Sequence, residues 1–175
     1  MKPTTYRLVR VHPLAGDRSR GRLVAGPIAL PCRLGRAGPR PFKREGDGAS
    51  PVGTFRLLQA FYRADRIARP RTRLPLKAIR PGDGWCDDPA DRRYNRPIPL
   101  PSPARHERLW RDDPLYDVVI DIAWNRGPIR RGRGSAIFLH LRGDRPTEGC
   151  VAVDRGAIRR LLARIGPGTR IRIVG

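Results

Sequence analysis

Gly134-Ser-Ala-Ile-Phe-Leu-His140-Leu-Arg-Gly-Asp-Arg-Pro-Thr147-Glu-Gly-Cys150-Val-Ala-Val-Asp-Arg155 is the stretch that decides the fold. Ala136–Leu141 reads as a strand in which period two puts Ala136, Phe138 and His140 on one face and Ile137, Leu139 and Leu141 on the other. A polar turn containing Gly143 and Pro146 follows, and Cys150–Val153 opens a second apolar run. A hairpin-like connection between the two would bring an imidazole and a thiol to one end of a sheet.

That pair has a chemistry. A thiol reacts as the thiolate, and an ordinary cysteine with a pKa of ~8.5 is mostly protonated at neutral pH. A neighbouring imidazole takes the proton and later returns it to a leaving amine. Gly149 lets the backbone pass close to a substrate, and the amides of Gly149 and Cys150 are candidates to hold a tetrahedral oxyanion. Taken singly, each residue has a plainer reading, since free cysteine is among the most buried residue types and a strand histidine is usually structural. Their joint placement around a Gly-Cys turn puts a reactive pair on an equal footing with two structural residues, because each supplies what the other lacks. Cys32 and Cys86 have no histidine so placed and read as structural.

Outward from this stretch, Asp117–Ile122 alternates as a strand. Trp124-Asn-Arg-Gly-Pro closes that strand in a turn. Asp154 can cap a helix running to about Ile165, because Ile158, Leu161, Leu162 and Ile165 recur at i, i+3, i+4 and i+7 and Gly166-Pro167 stops it. Arg170–Val174 is a closing strand. Near the start, Tyr6–Val11 and Leu23–Leu30 form a hairpin with Gly16 and Gly21 in its turn. Lys43–Phe55 is a Gly-rich loop entering the run Phe55–Leu58, either a plain connection or a binding loop. Arg63–Pro81, broken by prolines, is an extended excursion, and 82–103 is an insertion on the sheet near the site. Leu109 and Trp110 would anchor a short helix over His106–Trp110. The balance predicts one mainly β domain over residues 1–175, a β-sandwich or open barrel with one or two helices.

The net charge is +21, from 37 basic and 16 acidic residues spread along the chain. Only Lys2, Lys43 and Lys77 of the basic residues are lysines, and neither a recognition helix nor an aromatic RNA-binding signature is visible. No specific nucleic-acid partner is expected; a general affinity for polyanions, including an anionic cell envelope, is. Three cysteines without a C-x-x-C pair support neither a disulfide framework nor a metal site. No segment reaches the ~18 apolar residues of a membrane span. The beginning of the chain lacks the apolar core of a secretory signal, so it reads as soluble with no visible export signal.

His140 followed by Thr147-Glu-Gly-Cys150 resembles the active-site signature of the L,D-transpeptidase catalytic domain (YkuD-like) family, in which a histidine precedes Ser/Thr-x-Gly-Cys. Lys43-Arg-Glu-Gly-Asp-Gly-Ala-Ser-Pro-Val-Gly-Thr-Phe55 is similar to that family's Gly-Asp-Gly-x-Thr/Ser-Pro-x-Gly-x-Phe segment. Gly84-Trp-Cys-Asp-Asp-Pro89, Tyr94-Asn95, His106-Glu-Arg-Leu-Trp-Arg111 and Leu115-Tyr-Asp117 look like a short, single-domain subgroup of it.

The resemblance implies a cysteine acyltransferase acting on peptidoglycan stem peptides in the periplasm or cell envelope, without cofactor or metal. Cys150 would be the nucleophile and His140 the general base and acid. Thr147 or a nearby backbone carbonyl would orient the ring, and Gly149 would help form the oxyanion hole. Arg142 would clamp a substrate carboxylate, and Glu148 would contact substrate. Water in place of the acceptor amine would make the enzyme an L,D-carboxypeptidase. The motif departs from its commoner form in having Glu148 where a second histidine stands, and Val151 and Ala152 where an arginine or asparagine follows the cysteine. The rival from another class is a non-catalytic basic module that binds an anionic polymer, motivated by the charge.

Overall fold

The computed structural model describes residues 5–175; the opening four residues, which belong to the reading of the chain's beginning, lie outside the described residues. In chain order the strands are β1 (Leu8–Pro13), β2 (Arg20–Ala25), β3 (Ile28–Arg33), β4 (Pro39–Arg40), β5 (Ser50–Pro51), β6 (Gly53–Tyr62) and β7 (Leu76–Ala78). Then come β8 (Asp83–Cys86), β9 (Pro97–Pro99), β10 (His106–Arg108), β11 (Val118–Ile122), β12 (Phe138–Leu141) and β13 (Val151–Val153). The helix α1 (Arg155–Leu162) and the strand β14 (Arg170–Ile173) complete the chain.

Nine strands form the central sheet in the order β11-β12-β13-β3-β2-β1-β14-β6-β7, and pairing of β6 with β11 closes the first eight into a barrel. β6 can do this because it is ten residues long: its first half pairs with β14, and its second half pairs with β11. Closure removes the edges that an open sheet would leave unpaired. The mainly β expectation with one helix therefore holds, in the form of a closed barrel.

Alternation fills the interior. Val9, Val11, Leu23, Ile120, Ile122, Leu139, Leu141, Val151, Val153, Ile171 and Ile173 belong to one buried cluster, and α1 adds Ile158, Leu161 and Leu162 to it. The odd residues of β12 thus face inward as their period requires. Phe138 turns outward with Val119 and Phe61 into a second cluster, covered by Trp85, Leu109 and Tyr116 of the chain between β7 and β11. That covering segment carries the small sheet β10-β8-β9, so the insertion does lie over the site's face.

Four local expectations are corrected. Leu23–Leu30 is not one strand: Ala25 pairs with Ile28, and Gly26-Pro27 makes a two-residue hairpin turn with Gly26 at φ +55. Gly at the first central position is what such a turn selects, and the apolar residues on either side hide it from a periodicity reading. His106–Trp110 is not helical, because His106–Arg108 pairs antiparallel with β8 and Leu109 is buried as the alternation continues. The helix after Asp154 ends at Leu162, although Ile165 is buried as its stripe predicted. Finally, β12 and β13 are not a hairpin but a parallel pair, Leu139 opposite Val151 and His140 opposite Ala152.

Leu139 is fully buried at the centre of the barrel. Leu139→Ala is expected to lower the unfolding free energy by about 3 kcal/mol, as a cavity in a closed core does. Urea unfolding measures it, and a loss below about 1 kcal/mol would contradict this packing.

Candidate active site

The parallel register builds the site. Residues opposite one another in β12 and β13 share a face, so with Leu139 and Val151 inward, Phe138, His140, Cys150 and Ala152 point outward. The register extends to Cys150 beside Phe138, with His140 two residues further along. Strands about 4.8 Å apart with a rise of about 3.3 Å per residue make Cys150 and His140 diagonal neighbours.

The thiol is held by backbone. Cys150 Sγ donates to the Ala136 carbonyl at 3.3 Å and accepts from the Phe138 N–H at 3.3 Å. Burial pushes its pKa up to about 12, against the pull of the Phe138 N–H. The turn before it is fixed by Thr147, whose Oγ1 donates to the Cys150 carbonyl at 2.7 Å and accepts from the Gly149 N–H at 3.2 Å. Ser50 Oγ donates to the same carbonyl at 3.4 Å. Gly149 sits at φ +144, and a Cβ there would lie 2.8 Å from the Ala49 carbonyl, so only glycine fits.

The imidazole is oriented by a backbone carbonyl. His140 Nδ1 lies 2.7 Å from the Leu141 oxygen. A carbonyl only accepts, so Nδ1 carries the proton and Nε2 keeps a lone pair. Burial pushes the histidine pKa down to about 4, opposed by the Leu141 carbonyl. The ring packs edge-on to Tyr116 at a centroid distance of 5.2 Å. At neutral pH the pair is therefore a thiol and a neutral imidazole. No hydrogen bond joins them among the described residues; what they share is a cleft of about 690 Å³ that both line.

Thr147 and Glu148 also line this cleft. Thr147 serves the cysteine turn rather than the histidine ring. Glu148 is exposed and pairs with Arg36 at 3.0 Å. Arg142 is a correction: its guanidinium pairs with Asp154, and it lies outside the lining of the cleft. Asp154 spends its carboxylate on that pair instead of capping α1, whose N-terminus receives no side-chain bond from it. The arginines that do line the cleft are Arg105, Arg111 and Arg145. Cys32 and Cys86 are buried thiols that do not line it.

Several residues of the site escaped the sequence reading. Asn95 Oδ1 accepts from Trp85 Nε1 at 3.0 Å and from the Ala136 N–H at 3.2 Å, while its Nδ2 donates to the Trp124 and Asn125 carbonyls. All four of its hydrogen-bonding positions are used. It thereby fixes Ala136, whose carbonyl holds the thiol and whose φ is +50. Tyr116 is buried in the wall of the cleft and Glu107 is half-buried; desolvation raises the Glu107 carboxyl despite Arg111 Nη1 at 3.0 Å. Lys43 is 2 % exposed, and its Nζ donates to Asp47 Oδ1 at 2.8 Å. The Tyr94-Asn95 pair and the Lys43 loop were visible signals, but nothing in their spacing assigns them to this cleft.

Among the described residues, no group of three or more His, Cys, Asp or Glu side chains is placed to hold a metal ion. Nor, among the described residues, is any helix long and apolar enough to cross a membrane.

The family model of the L,D-transpeptidase catalytic domain, YkuD, matches residues 10–173. Among solved structures, L,D-transpeptidase 1 of Mycobacterium tuberculosis is similar over 96% of this chain and 62% of that one, with 11% identity and a TM-score of 0.41. The chain thus spans less than two thirds of that neighbour. No curated protein sequence matches the chain.

The buried neutral ring has a consequence for stability. With His140 held at about 4 in the folded state and near 6.5 when unfolded, the unfolded chain binds the extra proton between these values. The stability is fully present above pH 6.5 and falls as pH drops towards 4. Relative to His140→Asn, the wild type is expected to lose about 3 kcal/mol between pH 7 and pH 4 in urea unfolding. The comparison cancels Asp121, whose carboxyl burial pushes up to about 7 and which acts in the opposite direction. A difference that does not change with pH would contradict the buried neutral imidazole.

Proposed function

We propose that this chain, which belongs to the L,D-transpeptidase catalytic-domain family, is a cysteine acyltransferase that passes peptidoglycan tetrapeptide stems through a thioester to an amine at the cell envelope, cross-linking stems or exchanging their terminal residue. The observation that carries the reading is the pair Cys150 and His140, diagonal on the outer face of two parallel strands and lining one cleft.

The steps follow from the protonation states. Cys150 Sγ attacks the carbonyl between the L-centre of diaminopimelate and the terminal D-alanine, and His140 Nε2 takes the thiol proton as the S–C bond forms. Because the resting pair is neutral, thiolate is made during attack and not stored beforehand. The tetrahedral intermediate collapses, the C–N bond breaks, and the imidazolium returns its proton to the departing amine. An incoming amine then resolves the thioester with His140 again as base. Water in its place gives the L,D-carboxypeptidase outcome, and amine exchange in the product mass separates the two. Glu148 is one of five acidic residues lining the cleft that a substrate amine would meet, and Arg105 and Arg145 take the role expected of Arg142 towards substrate carboxylates.

Cys150→Ala and His140→Ala are expected to abolish turnover of a tetrapeptide stem, and Cys32→Ala and Cys86→Ala to retain most of it. Intact mass after incubation with a carbapenem should show one adduct, mapping to Cys150. Equal loss in all four variants, or a folded wild type with a free thiol and no adduct, would end the assignment. Salt-sensitive polyanion binding together with stem turnover that survives Cys150→Ala would favour the basic-module rival instead.

A further inference from the structure

Lys43 is almost completely buried beside the cleft, and the acyl-transfer reading has given it no part. Its stem runs between two glycines held at positive φ, Gly134 at +97 and Gly149 at +144. A Cβ on Gly134 would lie 2.8 Å from Lys43 Cε, and one on Gly149 would lie 3.3 Å from Nζ. The two glycines therefore make room for the side chain, and Nζ sits against the backbone immediately before Cys150. An ammonium has three N–H donors. One goes to Asp47 Oδ1 at 2.8 Å and one to the Arg44 carbonyl at 3.3 Å. The third has no protein partner among the described hydrogen bonds, and the cleft that Lys43 lines is the space left for it.

The oxyanion site has a matching deficit. The Gly149 N–H, a donor that the sequence reading offered to the oxyanion, is spent on Thr147 Oγ1 at 3.2 Å. Asp47 divides its oxygens between the lysine and the loop backbone, accepting also from the Ala49 N–H at 2.9 Å and the Arg44 N–H at 2.7 Å.

We propose that Lys43 is a further catalytic residue, its third N–H donating to the substrate carbonyl oxygen as charge develops there. This rests on Cys150 being the acyl-accepting nucleophile. As the S–C bond forms, the carbonyl π pair moves onto oxygen, which accepts from Lys43. When the pair returns, the C–N bond breaks and His140 protonates the leaving nitrogen. Lys43 keeps its three protons throughout and works by charge and direction alone.

Two reagents on the purified full chain separate this role from others. A carbapenem acylates through a tetrahedral oxyanion; iodoacetamide alkylates the same thiol by displacement at carbon and forms none. In Lys43→Met the ratio of acylation to alkylation rate constants is expected to fall about 100-fold, the size of losing one oxyanion donor. Alkylation normalises for any change in thiolate supply. An unchanged ratio would overturn the proposal and leave Lys43 as a loop anchor. Should thermal unfolding show that Lys43→Met does not fold, Lys43→Gln keeps a neutral donor for Asp47 and is expected to lower the ratio about tenfold. An unchanged ratio there overturns the proposal equally. A wild type that alkylates at Cys150 but is never acylated would instead remove the acyl-transfer reading, and this inference with it.

Discussion

Parallel pairing of β12 with β13 is the constraint on which the rest of the site depends. A nine-residue connection between parallel neighbours is short for the purpose, since parallel strands ordinarily need a crossover of a dozen or more residues. The chain manages it by running back outside the barrel, where Thr147 bridges to Gly35 and its side chain pins the Cys150 carbonyl. The return sets the level at which β13 begins. A register slip of one residue would turn Cys150 into the interior and Val151 out. Barrel closure by β6 and β11 resists that slip, because the inward residues of all eight strands pack against each other.

A site carved into the outer face of a closed barrel needs a cover, and the cover is where polar groups become expensive. Burying a thiol, an imidazole and a lysine near one another is tolerated only if each is hydrogen-bonded. Among the described residues, no buried side-chain nitrogen or oxygen lacks a partner. Asn95 is the clearest instance: it ties Trp85 in the cover to the segment that leads into β12, so the cover and the backbone that holds the Cys150 thiol are positioned by one side chain. Burial also sets the chemistry. It disfavours thiolate and imidazolium alike, so Cys150 and His140 rest as a neutral thiol and a neutral ring.

Much of this was legible in the sequence wherever one face of a strand was apolar. Val118, Ile120 and Ile122, and the split of Ile137, Leu139 and Leu141 from Phe138 and His140, are period-two patterns that the barrel obeys. What periodicity does not encode is which strand lies beside which. The parallel link, the closure by β6 and the strand at His106–Arg108 are all matters of pairing, and backbone pairing leaves no side-chain signature. The Gly26-Pro27 hairpin was lost for a different reason, since a two-residue turn between apolar segments barely interrupts them. Cys150, His140 and Thr147 were readable because a short motif carries them. Asn95 and Lys43 were not tied to the site, because they arrive from 55 and 107 positions upstream of Cys150 and only the folded chain brings them close.

Charge draws the same distinction between what composition says and what the fold does with it. The chain is +21, yet the cleft is lined by four lysine or arginine side chains against five carboxylates. The excess sits elsewhere, on the exposed arginines of α1 and the outer barrel. Long-range attraction to an anionic surface is thus a property of the whole molecule and is screened over about 10 Å in ordinary salt. Inside the cleft the near balance of signs suits a ligand that carries both amines and carboxylates better than a polyanion. A polyanion would meet Glu45, Glu107 and Glu148 on entering, and the strong outward charge would hold it at the surface instead.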